Sequence, residues 1–155
     1  MEIKDWLLLI VPIVSNGIIL YFFQRCFEKR QDLRNDVIKV FWNKLQELND
    51  AFIQANIETM KTEELEKSKI VNKNLMIIQE FILELIKYYD TNQYDLKVFA
   101  IFFNDLQKKW QDFQDTCNEY RPVNIDDEIK LKLGEKLQLV KEANQKLINE
   151  VRDKY

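Results

Sequence analysis

The chain has 155 residues, 23 basic and 26 acidic, a net charge of −3 and no histidine. Charges of both signs are interspersed, so there is no chain-wide basic field to draw in nucleic acid, and direct nucleic-acid binding is not expected. Without histidine there is no Ser-His or Cys-His nucleophile, no histidine metal site and no imidazole acid-base chemistry; Gly17 and Gly134, the only glycines, cannot build a phosphate-cradling loop. No enzyme activity, metal or cofactor is expected.

The first feature in chain order is residues 6–23, WLLLIVPIVSNGIILYFF, which carry no charge. As a helix they rise about 27 Å at roughly 1.5 Å per residue, close to the roughly 30 Å hydrocarbon core of a bilayer. Residues 1–24 therefore predict a single N-terminal transmembrane helix. A cleaved signal peptide is the competing reading, and it is opposed by Glu2, Lys4 and Asp5 in place of a basic start and by the lack of a small-x-small site. Arg25, Lys29, Arg30 and Arg34 follow the apolar run. Basic residues beside a span tend to stay inside, which predicts a short N-terminus outside, a cytoplasmic body and contact of this flank with anionic lipid. Within the run, Pro12, Ser15 and Asn16 share a face, and Gly17 adjoins them. An amide at mid-depth needs a partner, which a neighbouring copy supplies in a homo-oligomer that could line a polar path. Alternatively, Ser15 and Asn16 satisfy carbonyls freed by Pro12.

Residues 25–155 contain one glycine and one proline, which predicts long helices. Leu33, Val37, Val40, Phe41, Leu45, Leu48, Phe52 and Ala55 form a three-four stripe continuous with the span and ending near Met60. Thr62 is a candidate N-cap for a second helix, with Glu63 and Glu64 in its first turn. Its apolar face is Leu75, Ile78, Phe81, Ile82, Leu85 and Tyr89, and its earlier, polar half projects or caps the bundle. After a connection at residues 90–93, capped by Asp90 or Thr91, the series Leu96, Phe99, Phe103, Leu106, Trp110, Phe113, Cys117 and Tyr120 predicts a third helix with a heptad seam. Ala100, Ile101 and Phe102 widen its apolar surface, as in a central helix or one that touches another subunit.

Pro122 ends that helix, and Asn124 caps a last one with Ile129, Leu133, Leu137, Val140, Leu147 and Val151 inward. Asn144 lies on this inward line, where a buried amide would specify register or a subunit partner, and Gly134 would mark a close approach of another helix. The expected fold class is all-α, a transmembrane helix continuing into a cytoplasmic four-helix bundle. Cys26 and Cys117 read as small buried apolar groups and not as a disulfide. Glu80 with Glu84, and Glu63 with Glu66, read as solvated pairs. The rings of the third helix belong to a core more than to base stacking, and the lysines of the last helix to a solvated face.

A short outside N-terminus, a span at residues 6–23, the Arg25 to Arg34 basic flank and a small helical body together resemble the accessory membrane protein encoded beside the RNA-guided RNase of type VI-B CRISPR systems. Those proteins look like divergent members of the helical HEPN group, whose mark is Arg followed four to six residues later by His. This chain departs from that mark, since no histidine follows Arg152, Arg121 or any other arginine, and RNase activity is not implied. The resemblance implies a homo-oligomeric pore that depolarises the bacterial inner membrane in antiphage defence, with an RNA-guided RNase as functional partner. The alternative is a membrane-tethered helical adaptor that recruits a cytoplasmic protein through apolar surface such as Ile101 and Phe102.

Overall fold

The computed structural model describes the backbone of residues 3–61, 67–120 and 127–154, and the side chains of residues 20–60, 69–119 and 128–154. Helix α1 covers Ile3–Lys61, α2 Lys67–Thr91, a one-turn α3 Gln93–Leu96, a 3-10 turn Lys97–Phe99, α4 Ala100–Tyr120 and α5 Asp127–Lys154. The described residues are all-α and contain no strand. Two compact units divide the chain, Met1–Asp36 and Val37–Tyr155.

The second unit is a helical bundle around one core, to which α1 contributes Ile38, Phe41, Leu45, Leu48 and Phe52, and α2 contributes Ile78, Ile82, Leu85 and Tyr89. Helix α4 adds Phe103, Leu106, Trp110 and Phe113, and α5 adds Val140, Ala143, Leu147, Ile148 and Val151. Each set recurs at three-four spacing, so each helix turns one apolar stripe inward. At the centre the Tyr89 and Phe103 rings stack at 3.8 Å, and Phe41 lies about 6 Å from Tyr89, Phe99 and Phe103. Trp110 stacks on Phe113 at 5.3 Å. Lys44 and Glu84 tie α1 to α2 across the surface at 3.0 Å.

The expectation of a membrane span is corrected. Among the described residues no helix is long and apolar enough to cross a membrane. The single transmembrane helix is therefore withdrawn, and with it the single-pass placement in a bacterial inner membrane with the N-terminus outside. Pro12, Ser15, Asn16 and Gly17 lie outside the residues whose side chains are described.

Smaller differences have local causes. The inward stripe of α1 passes through Ile38, while Val40 is exposed, because a residue two positions on is displaced by about 200° around a helix. Leu33, in the first unit, is also exposed. The third predicted helix is broken into α3, the 3-10 turn and α4. Its seam survives because residues i and i+3 eclipse in a 3-10 turn, so Leu96 and Phe99 still bury together. Neither Asp90 nor Thr91 caps α3: Asn92 holds the N-cap position without a side-chain cap bond. Thr91 Oγ1 instead donates back to the Lys87 carbonyl, and Asn92 Nδ2 donates to that of Tyr88, so both close the end of α2. Thr62, Pro122 and Asn124 lie outside the described residues.

Candidate functional site

Two surfaces and one buried polar pair stand out once the core is accounted for. The first surface spans positions 94–101. Ile101, at the start of α4, is 81% exposed although Phe99 and Phe103 on either side of it are buried. Tyr94 in α3 and Val98 in the 3-10 turn are exposed as well. The Lys97 ammonium lies 5.1 Å from the Tyr94 ring centroid, a cation–π distance. The tight turn explains the exposure. Leu96 and Phe99 take the inward positions of the 3-10 segment, which leaves Lys97 and Val98 outside. Phe102, expected beside Ile101, is only half-exposed and packs on the core.

The second surface is the described part of the first unit, residues 20–36, in which every side chain is exposed. Leu20, Tyr21, Phe22, Phe23 and Phe27 crowd its beginning. Gln24 donates to Glu28 at 3.1 Å and Arg25 to the Tyr21 hydroxyl at 3.3 Å, each one helical turn away. The flank residues Arg25, Lys29, Arg30 and Arg34 lie here and are all exposed. Cys26 is exposed too and Cys117 half-buried, neither of them in a disulfide, which corrects the reading of Cys26 as a buried apolar group.

In the interior, Asn144 is fully buried, and its Nδ2 donates to the Leu45 carbonyl at 3.3 Å, while its Oδ1 has no hydrogen-bond partner among the described residues. The amide thus meets the first helix of its own chain. Asn74 is also buried, contrary to the expectation that the early half of α2 stands clear of the bundle. Its Nδ2 makes no hydrogen bond among the described residues. It nevertheless lies near Glu58, whose carboxyl is held below the usual carboxylate range by the amide of Gln54 first, then that of Asn74, with Lys73 adding its charge.

Polar groups elsewhere among the described residues form no converging set. Among the described residues no group of three Cys, Asp or Glu side chains could hold a metal ion. Glu84 pairs with Lys44 and not with Glu80. A shallow depression on α2, lined by Lys69, Lys73, Met76 and Glu80 among others, draws on that one helix. A Cβ built on Gly134 would meet nothing within 4 Å, so the expected close approach of another helix at that position is corrected. No family model, curated protein or solved structure matches the chain.

Proposed function

We propose that the bundle is a helical adaptor, a non-catalytic scaffold that recruits a protein partner through apolar side chains at positions 94–101. The observation that carries this reading is Ile101, a large aliphatic side chain held in solvent where the same short segment buries Leu96, Phe99 and Phe103. Covering one such side chain is worth about 1.5–3 kcal/mol, and Tyr94 and Val98 enlarge the target. The pore reading depends on a membrane span and is not carried forward.

Photo-crosslinking in cells tests the proposal, with a benzophenone side chain placed in turn at Ile101, Tyr94, Val98 and, as a distant exposed control, Leu131. The expected result is one heterologous adduct common to the first three positions and missing from the control. Adducts only between copies of the chain, or the same adducts from Leu131, would overturn it.

A further inference from the structure

At about 100° per residue, the helix of residues 20–36 gathers most of its apolar side chains on one arc, while Tyr21, Arg25 and Lys29 fall on the side of the acids. Leu20, Phe22, Phe23, Cys26, Phe27 and Leu33 fall within one arc of roughly 160°. Arg30 and Arg34 fall within the same arc, between these apolar groups. Glu28, Asp32 and Asp36, the acids of this stretch, cluster on the opposite side within roughly 80°. All of these side chains are exposed. Most helical stability in proteins comes from covering an apolar face, and this arc of α1 is exposed throughout, so it calls for a partner that is apolar and anionic together.

We infer that residues 20–34 form an interfacial helix that lies flat on an anionic lipid surface. Phe23 and Phe27 enter the boundary between headgroups and acyl chains, and the long side chains of Arg30 and Arg34 extend from the same arc up to lipid phosphates. The acids stay in water. A bilayer surface offers phosphate directly above hydrocarbon, which matches an arc in which cations and rings alternate. A second copy of the helix fits less well, since parallel packing on this arc would set Arg30 and Arg34 against their own counterparts. Lying on a surface requires no span.

The test uses the full-length protein with phosphatidylcholine vesicles, with and without added phosphatidylglycerol. Binding is expected only to the anionic vesicles, falling with added salt. Arg30→Gln with Arg34→Gln should weaken partitioning roughly thirty-fold, at about 1 kcal/mol per basic residue near anionic lipid. Phe23→Ser with Phe27→Ser should abolish it without moving the unfolding midpoint of the bundle. An environment-sensitive dye on Cys26 in a Cys117→Ser background should shift to the blue on binding, and the same dye at Asp32→Cys, with Cys26→Ser added, should not. Equal binding to both vesicle types, equal dye responses on the two faces, or lipid-independent self-association lost in the Phe23/Phe27 variant would each overturn the inference, the last in favour of a second copy.

Discussion

Asn144 on the last helix donates its amide hydrogen to the Leu45 carbonyl of the first at 3.3 Å, inside a core where both residues are fully buried. Because the Asn144 Oδ1 accepts nothing among the described residues, the side chain bears a desolvation cost of about 1–3 kcal/mol against a bond worth about 1 kcal/mol. Asn144→Leu, which keeps the branched heavy-atom skeleton, should therefore leave stability within about 1 kcal/mol of the parent or raise it. Asn144→Asp should lower it by more than about 2 kcal/mol, because it replaces the Nδ2 donor with a buried acceptor or charge. Urea unfolding of the two variants checks both values, and a large loss in the leucine variant would show that the amide contributes more than its visible bond.

The stacked pair Tyr89 and Phe103, 3.8 Å apart with an interplanar angle of 14°, sits where α2 meets α4. Phe103→Ala removes a side chain that also faces Phe41 and should cost about 3–5 kcal/mol. Trp110→Ala, further along α4, should cost a similar amount. Thermal melts by circular dichroism should rank both far below an exposed control such as Leu131→Ala, which lies on α5 outside the core.

Gly134 is an exposed residue of α5 with open space around a built Cβ. Gly134→Ala should raise stability by about 0.5–1 kcal/mol, from helix propensity and a less flexible unfolded chain. A decrease would show that something unseen contacts this position.

Burial raises the Tyr88 phenol above its usual range, and burial followed by the Asp90 charge raises that of Tyr89. A phenol whose folded pKa is raised favours the folded state fully below its unfolded pKa of about 10, and that contribution drains away as pH climbs through the folded value. Stability should be flat through neutrality with respect to these groups and fall on the alkaline side. Tyr88→Phe should shrink the alkaline fall and, at neutral pH, cost about 0.5–1.5 kcal/mol for the 3.1 Å bond to the Val37 carbonyl. Unfolding midpoints measured from neutral pH to above pH 10 read both effects.

Long stretches of this core can be read directly from spacing. Phe41, Leu45, Leu48 and Phe52, or Ile78, Ile82, Leu85 and Tyr89, bury because three-four periodicity leaves a helix one way to hide them. Details decided by competition between neighbours are harder to read. Ile38 and Val40 are both aliphatic, and only the phase of the stripe separates them. Asn92 takes the N-cap position of α3, where Asp90 and Thr91 have equally good capping chemistry. The break at Lys97–Phe99 carries no Gly or Pro signal and preserves the apolar spacing on both sides. For the candidate surface, Ile101 was visible as an excess apolar residue, whereas Tyr94 and Val98 gain their meaning from the turn that faces them outward.

The pairing of first and last helices has a consequence during synthesis. Phe41 and Leu45 share their core with Val140, Leu147 and Val151, so the bundle cannot close until nearly the last turn of α5 has left the ribosome. At about 5–20 residues per second, the stretch from Leu45 to Val151 takes several seconds to appear. For that interval the inward faces of α1, α2 and α4 are open to chaperones, and stalling or premature termination before α5 leaves a chain with a permanently uncovered core.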